Sequence, residues 1–351
     1  KTFMWPPKFW GKYEYFIRHA AGLGKSPKEE DPHTYEHYHY HCDVLIVGGG
    51  ISGMLAASEL LHVSNIKILL VEQQPKLGGN STEKEFEKLL DAHDIMFDDF
   101  YNYYYKKNIS DVLQPNFKTI NKNLKIITST SLFAYMHNNY LLAVQNLNPM
   151  LEPNKKKLRQ IIWKIRAKQV ILATGSFERP LVFDNNDRPG IMLANSVSKY
   201  VEKHNLHLAD NAIIFTNNDS AYQTAIDLHN SNTNVQCIVD LREESKSDIQ
   251  QEVKDLGIKI YYSHAVTNTN GWLKINSVMI NEIDQKTNKI ISKSKKINCD
   301  LLCVSGGWNP NVNLFSQSRG KLIYKESDDT FVPHKSFQKE ISIGACNGTF
   351  E

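Results

Sequence analysis

The run Cys42-Asp43-Val44-Leu45-Ile46-Val47 passes directly into Gly48-Gly49-Gly50-Ile51-Ser52-Gly53, and a second apolar run, Ile68-Leu69-Leu70-Val71, ends on Glu72, 24 residues beyond Gly48. An apolar strand, a Gly-x-Gly-x-x-Gly turn, a helix from about Gly50 to Leu61 and a strand closed by a carboxylate together predict a dinucleotide-binding βαβ unit. Gly48 permits the tight turn out of the strand. Gly50 keeps a Cβ away from an approaching pyrophosphate, and Gly53 lets the helix pack close to the strand. The helix then aims its free N–H groups and positive dipole end at the phosphates. Glu72 is placed to accept hydrogen bonds from a ribose diol and to repel a 2′-phosphate, which favours NAD or FAD over NADP.

At 351 residues, 41% of them hydrophobic and 23% charged, the chain has room for two domains with substantial cores. No apolar run reaches the length needed to cross a bilayer and no signal-peptide core is present, so a cytoplasmic, non-membrane protein is expected. The 41 basic and 38 acidic residues are scattered, and a net charge of +3 gives no nucleic-acid footprint; Lys155 to Lys157 read as a solvated loop tip. The chain starts at Lys1 and stops at Phe350-Glu351, just after a glycine turn where a helix is expected to begin, which reads as a piece of a longer polypeptide.

Cys42, Cys237, Cys299, Cys303 and Cys346 have no metal or redox spacing and are expected to be buried free thiols; Cys299 and Cys303, four apart, are expected on one face of a strand. Of His33, His37, His39 and His41, the last three alternate along a strand, which invites a metal reading. A polar strand leading into the first nucleotide-binding strand explains them without a metal.

Residues 1–42 read as an N-terminal arm or linker, and 82–93 as a helix with Phe86, Leu89 and Leu90 at core spacing. Residues 125–145 and 160–172 read as strands around a polar loop, ending in Val170-Ile171-Leu172-Ala173-Thr174-Gly175. A second βαβ pattern spans 211–242. Ala212-Ile213-Ile214-Phe215 leads through Thr216-Asn217-Asn218-Asp219-Ser220-Ala221 to a helix, and Val235-Gln236-Cys237-Ile238-Val239 ends on Asp240. The glycines are missing from this turn. With side chains at every position and Asp219 near the helix start, a pyrophosphate cannot approach, so the second unit is expected to keep the fold without a working pyridine-nucleotide site. Leu301-Leu302-Cys303-Val304-Ser305-Gly306-Gly307 and Ile341 to Gly348 read as final strands that return to the first unit. The expected fold class is thus α/β, with two Rossmann-like dinucleotide-binding domains of glutathione-reductase type. The first occupies 43–190 and 299–351, and the second, 191–298, is inserted in it.

Several rarer strings add to this pattern: Tyr13-Glu14 with Ile17-Arg18 and Ala21-Gly22-Leu23-Gly24; Glu178-Arg179-Pro180-Leu181-Val182-Phe183 with Asn186-Asp187-Arg188-Pro189-Gly190; Thr216 to Tyr222; and Gly306-Gly307-Trp308-Asn309-Pro310 with Gln317-Ser318-Arg319-Gly320. Over nearly its whole length the chain closely resembles the alpha subunits of heterotetrameric sarcosine oxidases. That resemblance implies the NAD-binding module of a larger subunit, with a ferredoxin-like domain before it and a folate-binding domain after it. It implies that sarcosine is oxidised on FAD in a beta subunit, that electrons pass to FMN at the alpha–beta boundary and on to oxygen, giving hydrogen peroxide, and that tetrahydrofolate captures the methyl carbon. Smaller subunits complete the assembly. It also implies that the alpha subunit's NAD is bound tightly and does not turn over.

Carried onto this sequence, the NAD contacts implied are Gly48, Gly50, Ser52 and Gly53 at the phosphates, and Glu72, Gln73 and Gln74 around the adenosine ribose. Gly79 and Asn80, Leu132 at the adenine edge, Thr174 and Gly175 beside the cofactor, and Ala345 in the last turn complete the set. The family usually has Asp-Glu where this chain has Glu72-Gln73, and Ser or Thr where it has Asn80. No residue is assigned a catalytic or metal-binding role, and His137, His204, His229 and His264 read as surface or core residues. Two alternatives stay open. One is a self-sufficient FAD-dependent oxidoreductase acting on an amine, opine or proline-type substrate, with flavin in the first pocket; the other is a structural module with an empty pocket. Phe97 to Tyr105, with four tyrosines, reads as partner surface or as a half-buried helix.

Overall fold

A computed structural model describes residues 6–24, 30–63, 65–81, 118–147 and 158–350. The expectations for 82–93, for 97–105 and for Lys155 to Lys157 lie outside the described residues.

The N-terminal region is more structured than an arm. Helix α1 (Trp10–Ala20) contributes no buried side chain, and strand β1 (Thr34–Val47) starts well before the glycine turn. Its first half, carrying the exposed His37, His39 and His41, pairs in parallel with β7 (Leu158–Leu172), so residues from Thr34 belong to the first sheet. After β1 come α2 (Ile51–Leu61), β2 (Ile68–Val71), β3 (Lys118–Asn121), β4 (Leu124–Ile127), β5 (Thr130–Met136) and β6 (Tyr140–Asn146). The sheet order is β3-β4-β2-β1-β7-β6-β5. Strands β4, β2, β1 and β7 run parallel, and β5, β6 and β7 form an antiparallel meander. The parallel strands are near-continuous apolar runs because both faces are covered. Ile46, Ile68 and Leu70 pack under Met54 and Ala57 of α2, while Leu45, Leu69 and Val71 share the opposite core with the buried Trp163.

The chain then leaves this sheet. Strand β8 (Ser176–Glu178) is followed by β9 (Ile191–Leu193), α3 (Ala194–His204), β10 (Asn211–Thr216), α4 (Ser220–Asn230), β11 (Asn234–Asp240), α5 (Asp248–Asp255) and β12 (Ile260–Tyr261). Next come β13 (His264–Asn270), β14 (Ser277–Asp284), β15 (Lys289–Ile290), β16 (Lys295–Asn298) and β17 (Leu301–Ser305). A parallel sheet of order β12-β11-β10-β17-β9 has α3, α4 and α5 packed on one face and the antiparallel β13–β16 group on the other. Strand β17, expected to return to the first sheet, instead pairs with β10 and β9 in the second. An apolar run buried on both faces fits the centre of either parallel sheet, so its composition does not select one. Cys299 precedes β17 rather than lying in it, so Cys299 and Cys303 enter opposite cores instead of sharing a face.

Beyond the second sheet, β18 (Trp308–Pro310) pairs back onto β8. Then α6 (Asn313–Gln317), the hairpin of β19 (Lys321–Lys325) and β20 (Thr330–Lys335), and β21 (Glu340–Ser342) follow. Only β21 rejoins the first sheet, beside β7. The architecture is two Rossmann-type α/β units, the second carried between β7 and β21 of the first.

Candidate functional site

Strand β1 enters the glycine turn at Gly48, which takes φ +107°, and a Cβ there would stand 2.2 Å from the Ala173 carbonyl oxygen. At Gly53 a Cβ would lie 1.9 Å from the carbonyl oxygen of Gly48, so α2 can sit this close to the strand only with hydrogen at that position. Gly50 is different. Its missing Cβ faces nothing nearer than Gly79 Cα at 4.0 Å, and as N-cap of α2 it offers no side chain to cap the first turn. The turn is therefore closed by protein at Gly48 and Gly53 and least crowded at Gly50, where a Cβ would touch only Gly79, beside the positive end of an 11-residue helix. A dinucleotide's diphosphate fits that arrangement.

Two further segments wall the opening. Gly78 N–H donates to the Gly49 carbonyl at 2.7 Å, and Gly79 follows in the left-handed region with Asn80 exposed beyond it. The last turn, Gly344–Asn347, presses on the helix start, since a Cβ on Gly344 would lie 2.1 Å from Ser52 Oγ; Ala345 is next to that contact. Gly50, Ser52, Gly79, Asn80 and Ala345 are thereby brought together at the start of α2, with Gly48 and Gly53 packed against protein behind them.

Glu72 does not stand free at the strand end. It is 5% exposed and folded back on the turn, with Oε2 accepting from Gly49 N–H at 2.6 Å and Oε1 from Gln74 N–H at 2.7 Å. Its extra methylene over aspartate gives it this reach. Burial pushes the carboxyl above the usual glutamate range, opposed by the N–H groups of Gln74, Gly49 and Gln73. Gln73 and Gln74 are exposed beyond β2. Leu132 lies two residues into β5 from Thr130, whose N–H donates to the Glu72 carbonyl at 2.9 Å, and it packs against the core below. Thr174 donates its hydroxyl to the Asn311 carbonyl at 2.8 Å, so it ties β7 to the returning chain rather than facing the opening. Gly175 takes φ +70° with no atom within 4 Å of its missing Cβ.

A raised folded-state pKa means that Glu72 contributes most to stability while protonated, below the ordinary glutamate value, and that this contribution is lost as pH rises through the raised value. Recognition of a ribose diol by Glu72 would have the opposite sign, because the ionised carboxylate is the better acceptor. Dinucleotide affinity is thus expected to fall as pH drops through a point above the ordinary glutamate pKa. Glu72→Gln is expected to weaken binding by about tenfold and to abolish that pH dependence, read by titration at several pH values. An unchanged profile in the variant would show that Glu72 does not contact the ligand.

The second motif is filled by its own side chains. Asn218 Oδ1 accepts from the N–H and hydroxyl of Ser220 at the start of α4, and Asn218 Nδ2 donates to Ser305 Oγ at 3.0 Å. Trp308 Nε1 donates to Ser220 Oγ at 2.9 Å. Asp240, where a ribose carboxylate would sit, is fully buried and accepts from Tyr222 Oη at 2.8 Å and from Arg242, which also donates to Asp219.

Sequence reasoning missed the groups that α3 contributes. Lys199 Nζ donates to Asn80 Oδ1 at 2.5 Å and Lys203 Nζ to the Gly79 carbonyl at 3.0 Å. Beside them Glu178 accepts from Asn195 N–H at 2.9 Å, its carboxyl pushed up by burial. The sole signal in the sequence is a lysine pair at i, i+4, which reads as a solvated face.

All five cysteines are free and buried, and burial pushes the Cys42, Cys237 and Cys299 thiols up to about 12. Among the described residues no His, Cys, Asp and Glu group is arranged to hold a metal, and no helix is long and apolar enough to cross a membrane.

Residues 42–332 match the sequence profile of the family described as pyridine nucleotide-disulphide oxidoreductase. The chain is 33% identical over 335 residues to sarcosine oxidase subunit alpha of Corynebacterium sp. (strain U-96), covering 94% of this chain and 33% of that protein. It therefore spans about a third of that relative's length. T. acidophilum thioredoxin reductase superposes with a TM-score of 0.58 at 16% identity, over 88% of this chain and 92% of that one. L-proline dehydrogenase from P. horikoshii superposes with a TM-score of 0.57 at 20% identity, over 92% of this chain and 53% of that one. At such identities the two structures share the fold and carry no argument about ligand or substrate.

Proposed function

Since the chain belongs to the pyridine nucleotide-disulphide oxidoreductase family, we propose that it is the NAD-holding module of an alpha subunit of sarcosine oxidase type, which keeps one dinucleotide without turning it over. In this reading the assembly demethylates sarcosine oxidatively to glycine, with hydrogen peroxide and methylene-tetrahydrofolate as products, in the cytoplasm. The amine is oxidised on FAD in a beta subunit, with FMN at the boundary between the subunits, and smaller subunits complete the complex.

The observation that carries the reading is the contrast between the two motifs. The first has an open, glycine-lined helix start with a carboxylate beside it. In the second, Asn218 occupies the helix start, and Tyr222 and Arg242 satisfy the strand-end carboxylate. NAD at Gly48, Gly50, Ser52 and Gly53, with its adenosine ribose at Glu72, Gln73 and Gln74, has no second nucleotide opposite it to exchange hydride with. Electrostatic orientation by α2 is what the chain supplies. Hydride chemistry belongs to the bound group.

Titration of the nucleotide-free chain with NAD is the test. One equivalent per chain is expected, and the same value is expected for Gln250→Ala, a second-unit residue that bonds Asp219, Ser245 and Tyr262. Two equivalents, or NADH-driven reduction of a dye by the isolated chain, would contradict the reading.

A further inference from the structure

Lys199 and Lys203 lie one helical turn apart on α3, on the side turned away from the buried Ala194, Val197 and Val201 that hold the helix to its own sheet. They point into the first unit. Their ammonium groups bond Asn80 Oδ1 and the Gly79 carbonyl, and a Cβ on Gly79 would sit 3.2 Å from Gly50 Cα, so both charges are held on the segment that packs against the glycine turn. Each donates to an uncharged oxygen. Carboxylates lie near enough to be felt, Glu178 by Lys199 and Glu202 and Glu72 by Lys203, yet burial holds both ammonium groups below the usual lysine range, with Lys199 and Lys76 adding to the effect on Lys203. A helix end and glycine N–H groups provide only partial positive charge for a ligand carrying two negative ones.

We propose that Lys199 and Lys203 are dinucleotide-binding residues, a cationic clamp contributed by the second unit that closes on the diphosphate of a dinucleotide seated over Gly48 to Gly53. The assignment rests on the first pocket being the dinucleotide site. On binding, each ammonium exchanges a neutral oxygen for a phosphate oxygen, which is the stronger, charge-assisted bond. Because the clamp and the glycine turn belong to different units, release requires both contacts to open, which suits a nucleotide that is retained rather than exchanged.

The alternative is a tether that merely fastens α3 to the loop at Gly79-Asn80, and the two differ in what they do to a ligand without phosphate. Nucleotide-free chain is titrated with NAD and with adenosine, for the wild type, Lys199→Gln, Lys203→Gln, Lys203→Arg and the control Lys168→Gln, an exposed lysine paired with Asp43 on β1. Each Gln variant is expected to weaken NAD by about tenfold and to leave adenosine unchanged, with Lys203→Arg and Lys168→Gln near wild type. Wild-type affinity for NAD is expected to fall as salt is raised, a readout that needs no variant. Gln variants that bind NAD as the wild type does, or that lose NAD and adenosine equally, overturn the clamp and leave the pocket standing. A wild-type chain that binds adenosine but no dinucleotide overturns the clamp and the reading of the pocket together.

Discussion

Gly53→Ala is expected to abolish dinucleotide binding and to destabilise the fold by about 3 kcal/mol, whereas Gly50→Ala is expected to weaken binding at least a hundredfold at a much smaller cost in stability. The added Cβ at Gly53 would lie 1.9 Å from the carbonyl oxygen of Gly48 and 3.1 Å from its carbon, both backbone atoms that no rotamer change can move. Relief requires α2 to back away from β1, which opens the core at Met54 and Ala57, and overpacking of this kind costs roughly 1–3 kcal/mol or more. At Gly50 the same methyl meets only Gly79 Cα at 4.0 Å, on an N-cap of ordinary negative φ. Stability then falls by roughly 0.5–1 kcal/mol, because alanine is a poorer N-cap than glycine. The methyl occupies the space through which a diphosphate would reach the helix start, and a loss of at least a hundredfold, about 2.7 kcal/mol, is expected. Denaturant melts and NAD titrations on the two variants separate packing from ligand contact. Equal loss of stability in both would show that the opening at Gly50 is filled by protein.

Arg242→Ala is expected to cost about 3 kcal/mol of stability while leaving the nucleotide content of the folded chain unchanged. The guanidinium donates to both oxygens of Asp240, whose side chain has no exposed surface, and to Asp219. Without it Asp240 keeps only Tyr222 Oη and the Arg242 backbone N–H. Breaking a buried pair from one side costs roughly 3–5 kcal/mol, and because the Arg242 side chain is itself about a third exposed the lower end is expected. The double variant Asp240→Asn with Arg242→Met is expected to recover most of the loss, since it removes both charges. If Arg242→Ala instead shed its nucleotide while staying folded, the second motif would be a working site.

These two variants mark what the sequence could and could not reveal. The first glycine turn was readable because backbone geometry tolerates only hydrogen at Gly48 and Gly53 and because Glu72 follows β2, constraints that hold whatever surrounds them. The loss of glycine around Asn217 to Ser220 was equally readable, though not that Asn218, Tyr222 and Arg242 would fill the vacancy, because those bonds join residues far apart in the chain. The sheet to which Leu301 to Ser305 belongs was not readable, since a strand apolar on both faces carries no address. Lys199 and Lys203 escaped notice because their helix packs by its other face. Their contact is with a loop more than a hundred residues earlier, at Gly79 and Asn80.

The central claim is that this chain holds NAD and leaves the flavin chemistry to its partner. The direct measurement is the visible spectrum of the purified chain, followed by denaturation and identification of the released nucleotide by mass spectrometry. A colourless protein releasing one NAD per chain is the expected result. A yellow protein releasing FAD would contradict the account and make this chain a redox centre in its own right.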